Sequence, residues 1–305
     1  MTPEVFLADI RENPEDDTPR LVFADWLADH GEEERGEFIR AQVRGEEARL
    51  PEASPDLPGI SWGDHERGFV EQVTAETAEA FLQNAEAILA AAPVFRLKLE
   101  RVDGSFAALC DSPILEVIRE LDVGNRTGLT GVGVSRLVLS PRASNLRSLL
   151  IHQNPIRDLA FHNIILSPHL GKLRDLHASG IHVSDAAIIG FWPGALQRLE
   201  LLDLRDNVIS QAGAAVLARS GGSLRTLWLV NNPVGDEGAR AFAEACPPAL
   251  RCLDLSHCGI TDAGARALAG SPLINELEEI ALRGNTFRPE TWAMLRAKLK
   301  EKLRE

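Results

Sequence analysis

The chain has few cysteines, no long apolar run and no basic stripe. Four cysteines in 305 residues do not make a disulfide framework, so reduced thiols and an intracellular setting are expected. No segment approaches the about 18 consecutive apolar residues of a membrane-spanning helix, and the N-terminus lacks a basic start followed by an apolar segment. The sequence therefore predicts a cytoplasmic protein that does not enter a membrane, and we expect a monomer.

Charge is distributed unevenly along the chain. The formal net charge is −13, and Met1 to Leu57 contains 16 acidic and 6 basic residues, a net charge of −10, which leaves −3 for the rest. An acidic chain repels phosphate backbones, and no run of Lys and Arg with interleaved aromatic residues occurs. Nucleic acid is therefore not an expected partner, whereas a protein with a basic or mixed surface remains compatible.

A repeat begins at about Val94. The frame L-x-x-L-x-L-x-x-N-x-I recurs with first positions at 94, 118, 146, 173, 199, 224, 250 and 277. Each frame predicts a short strand with one buried face, and the Ala- and Leu-rich stretch after it predicts a helix. Neither element can bury its apolar face alone, so the units must stack. The turn position, which can bond backbone groups, is occupied by Asn154, Asn207, Asn232, Cys258 and Asn285.

The weaker copies of the repeat depart from this frame at the turn. Val102, Arg126 and Ile181 occupy the Asn position there, and the copy that begins at Ile118 contains one extra residue before Leu129. We expect less regular turns at these places.

The frame and the segments after it, such as ISQAGAAVL and ITDAGARAL, resemble the leucine-rich repeat family in its ribonuclease-inhibitor-like class. The resemblance covers about Val94 to Glu305. It implies an α/β solenoid shaped as a horseshoe arc, with parallel strands on the concave side and helices on the convex side. In that family the concave face usually binds the partner, and catalysis is rarely attributed to the repeats.

Three helices are predicted upstream of the repeats, at 3–11, from Thr18 to about His30, and at 33–47. Leu21, Phe23, Trp26 and Leu27 are expected to form the buried side of the second helix. The segment FLADIRENPEDDTPRLVFADWLADHGEEERGEFIRAQ resembles a short repeat-companion domain that precedes repeat arrays in bacteria, notably planctomycetes. That resemblance implies the company of repeats and no activity.

These features predict a small all-α domain followed by the repeat array. The boundaries are an acidic helical companion domain at 1–50, a Pro-rich linker at 51–64 and a leucine-rich-repeat domain at 65–305. Within the repeat domain we expect an N-terminal cap unit at 65–93, about eight repeats at 94–288 and a C-terminal cap helix at 289–305.

The exposed strand positions supply the candidate binding residues. The central exposed column reads Lys98, Asp122, Leu150, His177, Asp203, Trp228, Asp254 and Ala281, with His152, Arg205, Val230, Ser256 and Arg283 beside it. Because an exposed Trp among mixed charges is typical of an interaction hot spot, we assign Trp228 as the apolar anchor. The polar ring around it would be His177, Asp203, Arg205 and Asp254. The alternative is that Trp228 lies flat over neighbouring strand residues and is only structural.

The function predicted from these residues is non-enzymatic binding of an unidentified protein partner on the concave face. An alternative is a regulator of a nucleotide-hydrolysing protein such as a small GTPase, which rests on analogy between folds. No phosphate-binding loop, dinucleotide-binding motif or nucleophile elbow occurs, so we expect neither enzymatic activity nor a cofactor.

A metal-dependent enzyme is the third and weakest prediction. Asp25 and Asp29 share a helix face at i, i+4 with His30 beside them, which is compatible with metal ligands. A second group, Cys246, Cys252, Cys258 and His257, contains no C-x-x-C pair, and its Cys258 already belongs to the repeat frame. For both groups the more common outcome is structural, namely solvated carboxylates and buried thiols.

Overall fold

A computed structural model describes residues 2–48, 54–190, 196–220 and 222–304. It divides into two compact units, Met1–Asp122 and Val123–Glu305, here called unit 1 and unit 2. Residues 49–53, where the predicted companion domain meets the predicted linker, lie outside the described residues, as does Phe191 of the post-strand segment VSDAAIIGF.

Unit 1 begins with three helices, α1 (Pro3–Glu12), α2 (Thr18–Asp29) and α3 (Glu33–Val43). The remaining elements are β1 (Ile60–Trp62), β2 (His65–Glu66), β3 (Phe69–Val70), β4 (Gln72–Ala75), α4 (Ala78–Ala91), β5 (Arg96–Leu99), α5 (Phe106–Asp111), a 3-10 helix (Pro113–Val117) and β6 (Glu120–Asp122). β4, β5 and β6 pair in parallel, β1 pairs antiparallel with β4, and β2 with β3 forms a hairpin. The segment predicted to be a linker therefore contains a strand, β1, that covers an edge of β4.

The three helices of unit 1 share one hydrophobic core with β3. Phe23 stacks on Phe6 at 5.0 Å and on Phe69 of β3 at 5.9 Å between ring centroids. The prediction that Leu21 belongs to the buried side was wrong, since 38% of this residue is exposed. Arg20 takes the buried place on the helix face that also presents Phe23, Ala24 and Leu27. α3 also ends at Val43, before the predicted 47, because Gly45 turns the chain with a φ of +76°.

Unit 2 alternates short strands with helices, as the repeat predicts. Its strands are β7 (Ser148–Leu150), β8 (Asp175–His177), β9 (Leu201–Asp203), β10 (Thr226–Trp228), β11 (Cys252–Asp254), β12 (Glu279–Ala281) and β13 (Leu303–Arg304). Its α-helices are α6 (Gly131–Leu139), α7 (Arg157–Leu166), α8 (Asp185–Ile188), α9 (Gln211–Ser220), α10 (Gly235–Ala245), α11 (Asp262–Gly270), α12 (Leu273–Glu276) and α13 (Pro289–Leu299). Three 3-10 helices complete the unit, at Pro141–Asn145, Pro168–Leu170 and Lys300–Lys302.

The strands of unit 2 pair in parallel without a register shift. Successive strands align the middle residue of each frame, and these residues are buried: Leu149, Leu176, Leu202, Leu227, Leu253 and Ile280. The C-terminal segment is more than the predicted cap helix, since β13 follows α13 and pairs with β12. In the resulting parallel sheet, equivalent residues of successive repeats lie side by side in columns. The column of leucines lies on the buried face of the sheet.

Asn side chains bond the backbone of neighbouring repeats at the turns. Nδ2 of Asn207 donates to three carbonyl oxygens at 3.0–3.1 Å, and its Oδ1 accepts from two backbone N–H groups at 3.0 and 3.2 Å; the partners are Ala178, Leu204, Arg205, Val183 and Ile181. Asn232 and Asn285 bond in the same manner. Cys258 substitutes through its Sγ, which donates to the Leu229 oxygen at 3.1 Å.

The turn that precedes Asn154 is irregular, as the extra residue before Leu129 predicts. Asn125 and Arg126 both have left-handed backbone angles, with φ of +58° and +60°. Oδ1 of Asn154 is buried and accepts no hydrogen bond from the described part of the protein. The inserted residue thus removes the backbone N–H groups that donate to Oδ1 of the other Asn side chains.

A second set of side chains connects repeats where the helices begin, and we call these contacts the Asp rungs. Each Asp accepts hydrogen bonds of 2.5–2.8 Å from the backbone N–H and the hydroxyl of a residue in the next repeat; the pairs are Asp158–Ser184, Asp185–Ser210 and Asp236–Thr261. Gly213 and Gly264 lie against the rungs, since a Cβ at either would be 2.4–2.6 Å from an Asp Oδ1. The rung is missing where Gln211 and Gly235 occupy these positions, and also where Gly131 and Arg157 do.

Candidate protein-binding surface

The pairing of the strands brings the predicted residues into one column within unit 2. Leu150, His177, Asp203, Trp228, Asp254 and Ala281 are direct neighbours on successive strands. In unit 1, Lys98 of β5 aligns with Asp122 of β6. The column within unit 2 is therefore the part of the strand face where neighbouring side chains can form a binding site.

Asp203 is the buried centre of this column, with 1% of the residue exposed. Arg205 binds its carboxylate through two side-chain hydrogen bonds, Nε to Oδ1 at 2.9 Å and Nη2 to Oδ2 at 2.7 Å. The backbone N–H of Arg205 adds a third at 3.1 Å, and Nδ1 of His177 lies 3.9 Å from Oδ2. Asp203 thus fixes the direction of Arg205 instead of presenting a free carboxylate.

Trp228 is half-buried and lies beside the Asp203–Arg205 ion pair, here called the clamp. The guanidinium carbon of Arg205 is 4.9 Å from the centroid of the Trp228 ring, a cation–π contact. The ring centroids of His177 and Trp228 are 6.3 Å apart at an angle of 55°. Trp228 is therefore held by Arg205, so its ring is oriented before any partner arrives.

The electrostatics of the clamp follow from burial and hydrogen bonding. Burial raises the pKa of Asp203, but the hydrogen bonds from Arg205 and the nearby His177 ring outweigh that effect and lower the pKa to about 2 from 3.8. The same hydrogen bond raises the pKa of Arg205 above its ordinary value. Both groups remain charged through the physiological range.

We expect Asp203→Asn to lower the free energy of unfolding at pH 7 by about 2 kcal/mol, because it removes a carboxylate stabilised in the folded state. A depressed carboxyl pKa stabilises the fold above the unfolded value and loses that effect as pH falls. The difference between parent and variant should therefore narrow between about pH 4 and pH 2. Denaturant titrations over this range measure it, and a constant difference would contradict the assignment.

Other predicted residues occupy separate places on the strand face. Asp254 is half-buried and accepts the backbone N–H of Ser256 at 2.9 Å. The ring of His152 covers Gly124, where a Cβ would be 2.2 Å from the ring. Val230 is half-buried and Arg283 is exposed. The structure thus brings His177, Asp203, Arg205 and Trp228 together and places Asp254 next to Trp228 on β11.

The residues considered as metal ligands are engaged elsewhere. Asp25 pairs with Arg40 at 2.7 Å, and Nδ1 of His30 lies 2.7 Å from the Trp26 carbonyl oxygen. Burial raises the pKa of the Cys258 thiol to about 12. Within the described ranges, no three His, Cys, Asp or Glu side chains are placed to hold a metal ion. None of the described helices is long and apolar enough to cross a membrane.

The contact of Arg205 with Asp203 and with the Trp228 ring was not predicted from the sequence. Asp203 and Arg205 were both placed on the exposed face, but their pairing was not predicted. The available signal is their i, i+2 spacing, which puts two opposite charges on the same side of one strand.

Comparison with known proteins supports the repeat fold. The family model described as Leucine Rich repeat matches residues 223–243 and 248–269, which contain β10 with most of α10 and β11 with most of α11. Comparison with curated proteins gives no match. The crystal structure of the Rad7 and Elc1 complex of yeast is similar with a TM-score of 0.53 and 15% identity, over 97% of this chain and 84% of that chain. That likeness concerns the fold alone.

A plant ice-binding protein aligns with a TM-score of 0.33 and 20% identity, over 58% of this chain and 53% of that chain. This similarity is too low to carry an argument. The family model thus matches two of the repeats, and the parallel strand–helix units of unit 2 form an α/β repeat fold.

Proposed function

We propose that the chain is a non-enzymatic protein-binding module whose partner docks on the strand face of unit 2. The observation that carries this proposal is the fixed, half-buried Trp228, with Arg205 against its ring and buried Asp203 behind Arg205. A large aromatic side chain that is already oriented loses little conformational freedom on binding, so more of its contact area contributes to affinity.

The partner's contact region would combine an apolar side chain for Trp228 with polar groups for the surrounding charges. Arg205 retains 44% side-chain exposure while bound to Asp203, so it can still donate to a partner carboxylate or carbonyl. Asp254 is the neighbour of Trp228 on β11, and the His177 ring lies 6.3 Å from the Trp228 ring on the side of Asp203. This mixture is typical of the centre of a protein interface.

Affinity capture followed by a titration of the captured partner tests this proposal. We expect Trp228→Ala to weaken binding by about 2 kcal/mol, roughly 30-fold, because the anchor of the interface is removed. Trp292→Ala is the matched control, since Trp292 is also half-buried with Arg296 5.8 Å from its ring but lies on α13. Equal affinity of the Trp228 variant and the parent would reject the placement.

The finer class and setting are part of the same proposal. We propose that the repeats are of the ribonuclease-inhibitor-like class and that the helices of residues 2–48 form a companion domain, as in bacteria such as planctomycetes. The protein would act in the cytoplasm. Regulation of a small GTPase stays an alternative, which GTP turnover measured with and without the protein would test.

A further inference from the structure

Two helices of unit 2 expose large aliphatic side chains. Val132 and Leu139 on α6 are 74% and 73% exposed, and Leu159 on α7 is 74% exposed. The repeat provides an internal comparison, because the positions equivalent to Leu159 in α9, α10 and α11 are Ala212, Glu237 and Ala263. The fold thus does not require an aliphatic residue there, and its presence in α6 and α7 needs another explanation.

The same part of unit 2 is basic, in contrast to the chain as a whole. Residues 123–174 contain seven Lys and Arg residues and a single acidic residue, Asp158, whose carboxylate is bound by Ser184. Arg126, Arg136 and Arg157 are exposed, and none of them forms an ion pair within the described part of the chain. We call Val132, Arg136, Leu139, Arg157 and Leu159 the aliphatic-basic face.

Unit 1 has a surface of the opposite charge with the same aliphatic character. It contains 28 acidic and 11 basic residues, a net charge of −17. α1 and α2 expose Val5, Leu21 and Val22, at 52%, 38% and 49%. Exposed carboxylates accompany these residues on the same two helices; they are Glu4, Asp9, Glu12, Asp25 and Asp29. We call α1 and α2 the acidic helix pair.

We propose that the acidic helix pair of one copy docks on the aliphatic-basic face of a second copy. Six of the eight large hydrophobic residues exposed in the described protein belong to these two surfaces: Val5, Leu21, Val22, Val132, Leu139 and Leu159. Each surface supplies aliphatic contact, and their charges are opposite, which favours this pairing over pairing of like surfaces. The contact uses the helices and leaves the strand face around Trp228 accessible.

Because the two surfaces differ, the contact is heterologous, and the assembly retains one unused acidic helix pair at one end and one unused aliphatic-basic face at the other. Association should therefore continue beyond dimers as concentration rises. It replaces the monomer expected from the sequence and is independent of the proposed function.

Light scattering and sedimentation over a concentration series test the inference with the full chain. We expect association in low salt and its weakening when NaCl is raised from about 0.1 M to about 1 M, which shortens the Debye length from about 10 Å to about 3 Å. Leu159→Glu and Val22→Glu should each weaken association at least about tenfold. Ala263→Glu, at the equivalent position of α11, is the control and should leave association unchanged.

A mixing experiment distinguishes the docking mode. The Leu159→Glu copy keeps the acidic helix pair and the Val22→Glu copy keeps the aliphatic-basic face, so an equimolar mixture should form a 1:1 dimer that does not grow further. A parent protein that stays monomeric throughout overturns the inference, as does a mixture that fails to dimerise. Binding of the parent, but not of Leu159→Glu, to anionic lipid vesicles without self-association would also overturn it in favour of a membrane surface.

Discussion

Arg20→Met is expected to lower the free energy of unfolding by about 3–5 kcal/mol. Arg20 is fully buried on α2 and pairs with Glu71, of which 2% is exposed. Its Nη1 also donates to the Asp16 carbonyl oxygen at 2.9 Å. Methionine fills a similar volume but leaves the buried Glu71 carboxylate with Arg96 alone, which lies 3.0 Å from it and also pairs with Glu66. The loss of the fully buried partner accounts for most of the cost.

The protonation of Glu71 gives this prediction a second measurement. Burial raises the pKa of Glu71, while hydrogen bonding to Arg20 opposes the shift. A carboxyl with a raised folded-state pKa favours folding in its protonated form, and that stability is lost as pH rises through the folded value. The deficit of Arg20→Met should therefore shrink as pH falls from 7 towards 5 in denaturant titrations.

Two controls separate charge burial from packing. The double substitution Arg20→Met with Glu71→Leu should recover much of the loss, because the buried carboxylate is removed as well and Arg96 keeps its pair with Glu66. Arg44→Ala removes an ion pair with Glu46 whose side chains are 53% and 55% exposed, and it should cost less than about 1 kcal/mol. Equal losses for Arg20→Met and the double variant would show that the buried charge is not the cause.

Asn207→Ala is expected to cost about 3 kcal/mol in unit 2. The substitution removes five hydrogen bonds and leaves the buried N–H groups of Ile181 and Val183 without an acceptor. Each unsatisfied buried donor costs roughly 1–3 kcal/mol, so the loss of the acceptor dominates. Chemical denaturation compared with the parent measures the effect.

The repeat supplies the controls for this second prediction. Asn154→Ala should cost less, because Oδ1 of Asn154 accepts no hydrogen bond from the described residues. Asn207→Cys should be milder than alanine, since Cys258 occupies the same position and donates to Leu229. Similar losses at Asn154 and Asn207 would contradict the role given to the acceptor oxygen.

The repeat was predictable because its periodicity combines with elementary burial. The leucines of the frame specify a two-residue alternation, and their alignment at fixed spacing requires parallel strands in register, as found from β7 to β12. Arg20 could not be predicted in the same way, because a charged residue becomes buried only when a distant partner, here Glu71, neutralises it.

The candidate site was predicted as a column but not as a set of contacts. Strand alternation places Trp228 and Asp203 on one face, whereas the burial of Asp203 depends on Arg205 folding back over it. Side-chain direction at the end of a strand is decided by such local pairing and not by spacing. The exposure of the aliphatic residues of α6 and α7 was likewise not predicted from periodicity, since residue type alone does not distinguish a buried leucine from an exposed one.

The repeats that contain Gln211 and Gly235 meet at a junction without an Asp rung. Repeat proteins hold together through contacts between nearest neighbours, so the weakest junction limits how far folding is cooperative. The turn contact is kept at this junction, because Asn232 donates to the Leu204 oxygen and accepts the Ile209 N–H of the preceding repeat. A repeat could therefore be duplicated or deleted at this junction without breaking an Asp rung.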